Sequence, residues 1–196
     1  GLFAWGGAMA MKIITGPETE PITEDEAKLH LRVDADDEDT PIARLIMTAR
    51  QEAENKTGRA LITQTLELGL DCWPESIRLP RPPLVSVSSI KYLDTSGALQ
   101  TLDPSDYLVD SYSEPARIVQ SYGKVWPLVR HQPNAILVRY VAGYGAASDV
   151  PAAIKNWMLL KIGTMYKIRS DVMAGQISAL PHADAMLDGY RFVEFG

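Results

Sequence analysis

The spacing of hydrophobic residues changes character twice along this chain, near residue 62 and again near residue 149. In the two outer segments the apolar positions recur every three or four residues, as on one face of an α-helix. In the middle segment they alternate with polar positions, as in strands that bury one face. This pattern predicts an α+β fold in which a helical body, with two N-terminal and two C-terminal helices, is interrupted by an antiparallel β insert.

The same changes of pattern suggest where the domains lie. Residues 11–61 and 149–196 are assigned to the helical body, and residues 62–148 to the β insert. Residues 1–10 are apolar, but they fall short of the roughly 20 residues that a membrane helix needs and lack the basic start of a secretory signal. We expect them to be a leader or a vector-derived remnant, and we expect no membrane association.

Two N-terminal helices are marked by capping chemistry. Thr23 and Glu26 have the spacing of a capping box, which predicts a helix running to about Arg32. Thr40 and Pro41 are typical of the N-cap and first position of a second helix, and Gly58 is typical of its end. The second helix carries a continuous apolar stripe: Ile42, Leu45, Ile46, Ala49 and Ala53.

Two further helices are predicted in the C-terminal segment. The third opens at Asp149-Val150-Pro151, and its apolar residues are spaced for burial against the second helix: Ile154, Trp157, Met158, Ile162, Met165 and Tyr166. A short fourth helix is predicted after Pro181, with Met186, Leu187 and Tyr190 on its apolar side. The stretch 170–179 between these helices is predicted to be mobile.

The middle segment contains short strands bounded by turn residues. The first begins at Leu66, and the others are predicted at 77–79, 85–92, 98–101, 107–109, 117–119 and 136–142. Pro80, Pro82 and Pro83 cannot donate to a sheet, so we expect residues 80–83 to form a rigid connector or an edge. Short strands without intervening helices indicate an antiparallel sheet or a small barrel.

Composition narrows the class of protein. The chain has 196 residues, with 25 acidic and 19 basic side chains and a formal charge of −6, and 46% of its residues are hydrophobic. The hydrophobic content is typical of a folded globular protein. The negative charge argues against a protein that binds nucleic acid tightly. Cys72 is the only cysteine, so no disulfide can form within the chain, and we interpret it as a small packed hydrophobic residue.

No part of the sequence provides a convincing catalytic or metal-binding set. The acidic loop 34–39 could attract a divalent cation, but its spacing fails the EF-hand pattern, and a solvated helix N-terminus is the simpler interpretation. His30, His131 and His182 follow no metal-binding motif. The turn Gly143–Ser148 could cradle a phosphate, or it could be a strand-to-helix turn that needs positive φ angles. We therefore predict no cofactor, no metal and no enzymatic activity.

Several short motifs occur in an order and spacing that resembles the head-tail connector proteins of tailed phages, in the longer branch that has a β insert. The motifs are Glu26–Asp34, Thr57–Ile62, Leu79–Val87, Ile90–Tyr92, Asp103-Pro104, Asp106-Tyr107, Tyr140–Gly145 and Val150–Lys155. The resemblance extends over roughly residues 20–190 and suggests a phage or prophage origin.

The resemblance implies a non-catalytic adaptor, located in the virion at the head-tail junction and in the host cytoplasm during assembly. Copies of such an adaptor form a ring of about a dozen subunits beneath the portal protein. The ring meets a tail-side completion protein and lets DNA pass without binding it tightly. By the same resemblance, a C-terminal segment at about Gln176–Phe195 would dock on the portal, with Tyr190, Phe192 and Phe195 as its partner-binding residues.

Two other functions remain open on the sequence alone. One is a small hydrolase or nucleotide-binding enzyme built around the Gly143–Ser148 turn, which would be stabilised by its ligand. The other is a packaging factor that binds DNA ends, which would require salt-sensitive DNA binding.

Overall fold

A computed structural model describes residues 10–34, 39–170 and 181–192 of the chain. The described residues divide into two compact units. Residues 10–16 and 63–143 form a β unit. The other described residues form a helical unit: 17–34, 39–62, 144–170 and 181–192. The stretch 170–179, predicted to be mobile, lies outside the described residues except for Ser170.

The β unit holds eight strands in two antiparallel sheets. The strands are β1 (Ala10–Thr15), β2 (Gln64–Leu70), β3 (Ile77–Arg78), β4 (Leu84–Leu93), β5 (Leu99–Thr101), β6 (Tyr107–Asp110), β7 (Arg117–Gln120) and β8 (Ile136–Ala142). The five-stranded sheet has the order β1-β2-β8-β4-β5, and the three-stranded sheet has the order β3-β7-β6. Every pair of neighbouring strands is antiparallel.

The centre of the larger sheet follows the alternation seen in the sequence. Leu66 lies opposite Tyr140, and Leu68 lies opposite Val138, and all four side chains are buried. On the other face Glu67 lies opposite Arg139, and their side chains form an ion pair of 2.6 Å. Because side chains alternate between the faces of a strand, one register gives a buried apolar face and a charged outer face.

Strand β1 was not expected from the sequence. Residues 11–16 were assigned to the helical body and Ala10 to the N-terminal remnant, whereas the structure pairs Met11 with Leu68 and Ile13 with Leu66 of β2. All six residues of β1 are exposed. A strand that buries no side chain has no alternating pattern to reveal it, and its partner residues lie at least fifty positions further along the chain.

The proline-rich connector between β3 and β4 is outside the strands, as predicted. The buried side chain of Tyr140 reaches it, and the Tyr140 hydroxyl donates to the carbonyl oxygen of Pro80 at 2.9 Å. Burial raises the pKa of this phenol far above its usual range. The hydrogen bond satisfies a polar atom within an otherwise apolar core.

Two tryptophans join separate segments of the β unit. The rings of Trp73 and Trp126 stack with their centroids 4.6 Å apart, and the Trp73 indole N–H donates to the carbonyl oxygen of Pro127 at 2.9 Å. The neighbouring Cys72 is exposed, so the prediction that it is a packed hydrophobic residue is wrong. At this bend Trp73, rather than Cys72, makes the packing contacts.

The helical unit begins with the predicted capping box. Helix α1 (Glu24–Leu31) starts after Thr23, whose hydroxyl oxygen accepts from the Glu26 amide at 3.1 Å, while the Thr23 amide donates to the Glu26 carboxylate at 2.8 Å. Arg32 ends the helix in the left-handed conformation, with φ of 58°. Both the start and the end of this helix agree with the sequence prediction.

Helix α2 (Asp39–Thr57) starts slightly before its predicted N-cap. Thr40 and Pro41 therefore lie inside its first turn, where proline is tolerated because its missing N–H would have no partner within the helix. Gly58 ends the helix with φ of 70°, and its amide donates to the carbonyl oxygen of Glu54 at 2.9 Å. The predicted stop at this glycine is confirmed.

Helix α3 (Ala152–Ser170) packs against α2 to form the core of the helical unit. The two predicted apolar stripes meet here. The fully buried residues are Ile42, Ile46, Ala49 and Ala53 of α2 and Ile154, Trp157, Met158 and Ile162 of α3. Leu45 and Met165 are partly buried against the same cluster.

The C-terminal helix differs from its prediction in one respect. It consists of a short α4 (Pro181–Asp184) followed by a 3₁₀-helix (Ala185–Tyr190). Leu187 is fully buried and Tyr190 is partly buried, but Met186 is 40% exposed. A 3₁₀-helix has three residues per turn, so Leu187 and Tyr190 share a face from which Met186 is turned away.

The mixed α and β fold is confirmed, with four α-helices and two antiparallel sheets among the described residues. No helix in this part of the chain is both long and apolar enough to cross a membrane.

Candidate assembly surfaces

Two of the three predicted partner-binding residues lie against the end of α2. The Arg59 guanidinium Nε donates to the carbonyl oxygen of Tyr190 at 2.7 Å, and the Phe192 amide donates to the carbonyl oxygen of Thr57 at 2.8 Å. Phe192 also packs over Gly58, where an added Cβ would lie 3.5 Å from the Phe192 Cβ. Phe195 lies outside the described residues. The hydrogen bonds from Arg59 and to Thr57 thus fix the backbone of Tyr190 and Phe192 to the helical unit.

Asp184 fastens the start of this C-terminal segment. One carboxylate oxygen accepts from the Lys56 ammonium at 2.8 Å, and the other accepts from the Trp157 indole N–H at 2.9 Å. Lys56 also lies 6.0 Å from the centroid of the Trp157 ring. The Lys56 hydrogen bond first, and the Trp157 hydrogen bond second, hold the pKa of Asp184 below its usual value. Asp184 therefore joins α4 to both long helices.

This arrangement makes the attachment of the C-terminal segment sensitive to acid. A carboxylate whose pKa is lowered by folding stabilises the fold above its unfolded pKa of about 4, and that stabilisation is lost as the pH falls through the lower folded value. Asp184→Asn should lower the free energy of unfolding at neutral pH, and its difference from the wild type should shrink below about pH 4. Urea unfolding between pH 7 and pH 2 measures this difference.

Asp188→Asn is the matched control for that experiment. Asp188 lies in the same segment, pairs with Arg191 at 3.3 Å and has a side chain that is 61% exposed. An exposed pair of this kind contributes little to stability. Equal pH profiles for the Asp184 and Asp188 variants would contradict the role given to Asp184.

A buried charged network supports the end of α2, and no motif in the sequence indicated it. Arg50 and Glu54 are both buried, and the Arg50 guanidinium donates to Glu54 at 3.0 Å and to Glu20 at 2.7 Å. The other carboxylate oxygen of Glu54 accepts from the Leu61 amide at 3.1 Å. A spacing of four residues between opposite charges is typical of an exposed helix face, so only the tertiary fold identifies this pair as buried.

In the β unit, aspartates fix the turns between strands. The Asp94 carboxylate accepts from the amides of Ser96 and Ala98 at 2.9 and 3.0 Å and from the Ser96 hydroxyl. These hydrogen bonds, that of the Ser96 hydroxyl first, lower the pKa of Asp94 to about 2. Asp110 organises the β6–β7 turn in the same way, through Ser113 and Arg117 at 2.8 Å each.

Large apolar side chains are exposed around these strands and turns. In the β unit they are Met11, Ile13, Ile14, Val85, Leu99, Leu108, Val109, Tyr112, Tyr122, Val125 and Leu128. Tyr112 and Tyr122 are fully exposed at opposite ends of the β6–β7 hairpin. Isolated exposed apolar residues are ordinary, but strands that expose them along an open edge are characteristic of assembly surfaces.

The Gly143–Ser148 turn has the conformation predicted for a strand-to-helix connection. Gly143 and Gly145 have φ angles of 132° and 125°. The Ala146 amide donates to the Asp149 carboxylate at 2.9 Å, and that carboxylate occupies the space where a Cβ on Gly145 would stand. An acidic side chain of the protein thus already takes the position at which a phosphate would meet this amide.

The described residues contain no group of three or more side chains suited to hold a metal ion. Of the acidic loop 34–39, residues 35–38 lie outside the described part of the chain. Asp39 forms an ion pair with Lys28 of α1. His30 and His131 are exposed and far apart in sequence.

The sequence profile of the family described as phage gp6-like head-tail connector protein matches residues 22–92. Residues 22–92 carry a phage gp6-like head-tail connector domain. The match includes α1, α2 and strands β2 to β4, and it confirms the resemblance to head-tail connector proteins. The connector family is structural and non-enzymatic, which confirms the prediction that this chain is not an enzyme.

Solved structures share the fold over nearly the whole chain, beyond the connector domain. One, from the neck of an empty gene transfer agent particle computed with C6 symmetry, has a TM-score of 0.77 at 20% identity, covering 94% of this chain and 96% of the other. Another, from the virion of a native gene transfer agent particle, has a TM-score of 0.76 at 19% identity, covering 93% and 95%.

A third structure, from the neck of a native particle computed with C12 symmetry, has a TM-score of 0.68 at 18% identity, covering 94% of this chain and 96% of the other. At these identities the likeness establishes the fold. Curated protein sequences include no match to this chain.

Proposed function

We propose that this chain is a ring-forming adaptor at the head-tail junction of a phage or phage-like particle, where it joins the portal protein to a tail-side completion protein. The observation that carries the proposal is that a connector domain at residues 22–92 sits within a fold shared, over 94% of the chain, with proteins in particle necks computed with C6 and C12 symmetry. A symmetric neck is built from rings, and a ring repeats one interface around its axis.

Within the ring, we propose that the helical residues form the body and that the β segment is an insert carried by it. The core of α2 and α3 is closed and apolar, which suits a rigid wall. The β unit adds exposed apolar strands and turns fixed by aspartates, which suit contacts with other proteins.

The C-terminal segment is proposed to dock on the portal through Tyr190, Phe192 and Phe195. Tyr190 and Phe192 would form the fixed base of this docking segment, because Arg59 and Thr57 hold their backbone. A fixed base lowers the entropy cost of presenting the last residues to a partner. Deleting residues 193–196 should weaken portal binding without changing the midpoint of thermal unfolding, and unchanged binding would contradict the docking role.

DNA is proposed to pass through the ring without tight binding, during packaging as well as ejection. The formal charge of −6 per chain supports this, because phosphate binding depends on lysine and arginine releasing counterions. We propose that the subunits assemble in the host cytoplasm and that the finished ring lies in the virion.

Native mass spectrometry over a range of concentrations tests the ring. We expect a closed assembly whose mass is a single high multiple of the 21.6 kDa subunit, about twelve copies. A protein that stays monomeric at every concentration, both alone and with the portal protein present, would contradict the proposal.

A further inference from the structure

Strand β1 is the outermost strand of the five-stranded sheet, and it is poorly covered. Within the described part of the chain it pairs only with β2, so the backbone groups of its outer edge have no strand partner. Met11 and Ile13 extend the face on which Leu66 and Leu68 are buried, yet Ile13 is 60% exposed beside a Leu66 that is 1% exposed. The apolar face of the sheet, which is buried at β2, is therefore left exposed where it continues onto β1.

Strand β6 has the same character at the edge of the three-stranded sheet. Val109 lies opposite Ile118, which is fully buried, but Val109 is 40% exposed and its neighbour Leu108 is 57% exposed. The other two edges are shorter: β5 has three residues and β3 has two. Monomeric proteins usually have short edge strands, or edge strands with charged side chains, which prevent pairing with other chains.

We propose that β1 of one copy pairs with β6 of the next copy, so that intermolecular β-sheet closes the ring. The inference rests on the proposed function, since a closed ring needs two different surfaces on each subunit that fit one another. β1 and β6 are the two longest edge strands among the described residues, and each presents branched apolar side chains. Pairing them would satisfy both rows of backbone groups and cover Ile13, Leu108 and Val109.

Charge favours this pairing over the pairing of β1 with itself. β1 carries the exposed Lys12 at its centre, whereas β6 ends at Asp110, whose side chain is still 26% exposed beside Arg117. Like charges directly opposite one another are unfavourable in a sheet, and opposite charges are favourable. Two copies of β1 would place lysines together, while β1 against β6 brings Lys12 towards Asp110.

Single charged substitutions on each edge test the pairing. Ile13→Asp and Leu108→Asp should each raise the concentration needed for ring assembly by at least about tenfold. Their thermal unfolding should match that of the wild-type monomer, because both positions are exposed. Leu99→Asp on β5 is the matched control, since Leu99 is 56% exposed, and it should leave assembly unchanged.

Mixing the two variants gives a sharper result. An Ile13→Asp subunit keeps an intact β6 edge, and a Leu108→Asp subunit keeps an intact β1 edge. A mixture should therefore form a pair of two copies that neither variant forms alone, and native mass spectrometry would detect it. If a substitution prevents folding, Ile13→Cys with Val109→Cys in a Cys72→Ser background should instead give disulfide-linked ladders under a mild oxidant such as oxidised glutathione, and either cysteine alone should not give them.

The outcomes separate the two proposals. A ring that survives both charged substitutions, or that is lost equally with Leu99→Asp, overturns the edge pairing and leaves the ring itself standing. A wild type that never assembles, with or without portal protein, contradicts both the ring and the pairing.

Discussion

Glu54→Ala is expected to lower the free energy of unfolding by about 3–5 kcal/mol, one of the largest effects of any single substitution in the helical unit. Glu54 is 6% exposed and accepts from both the Arg50 guanidinium and the Leu61 amide. Its removal takes one carboxylate partner from the buried Arg50 guanidinium. It also removes the oxygen that accepts the hydrogen bond of the buried Leu61 amide. Domains of this size are stable by only about 5–15 kcal/mol, so the change should be plain in urea unfolding.

Glu52→Ala provides the comparison on the same helix. Glu52 pairs with Lys161 at 2.9 Å, but both side chains are about a third exposed. A pair of this kind contributes at most about 1 kcal/mol. If the two alanine variants unfold at the same urea concentration, the buried network has no special role in holding the turn after α2.

Leu187→Ala is expected to lower the free energy of unfolding by about 2–5 kcal/mol. Leu187 is fully buried in the helical core, together with Ala183, so the C-terminal segment is part of that core. The substitution removes apolar contacts and leaves a cavity under the segment. Hydrogen exchange should show faster exchange in residues 183–192 than elsewhere, because the loss is local to their attachment.

Met186→Ala is the adjacent control. Met186 is 40% exposed on the same 3₁₀-helix, and its truncation should change stability by less than about 0.5 kcal/mol. Equal effects at 186 and 187 would show that the segment rests on the surface rather than in the core.

The parts of the fold that the sequence predicted well are those whose signals are local. The capping box of Thr23 and Glu26 fixes the start of α1, and Gly58 fixes the end of α2. Strand β8 was predicted with the bounds found, because residues typical of turns lie on both sides of its apolar run. In each case the residues that determine the element lie within it or directly beside it.

The parts that were missed depend on distant residues. β1 forms because β2 offers it an edge, and the burial of Glu54 follows from Glu20 and Leu61 folding over α2. Met186 was placed on the apolar side because an α-helix was assumed where the chain forms a 3₁₀-helix. For the candidate site, the sequence identified the C-terminal segment, but it gave no indication of the open edges of β1 and β6.

The route of the chain through its two units limits how the protein can be divided. The backbone passes from one unit to the other three times, at residues 16–17, 62–63 and 143–144. Excising residues 63–143 would therefore not yield a helical protein alone, because β1 would remain without β2, its only pairing strand among the described residues. Grafting or exchanging the β unit as a module must move the first strand together with the central segment, and the two pieces are encoded some fifty codons apart.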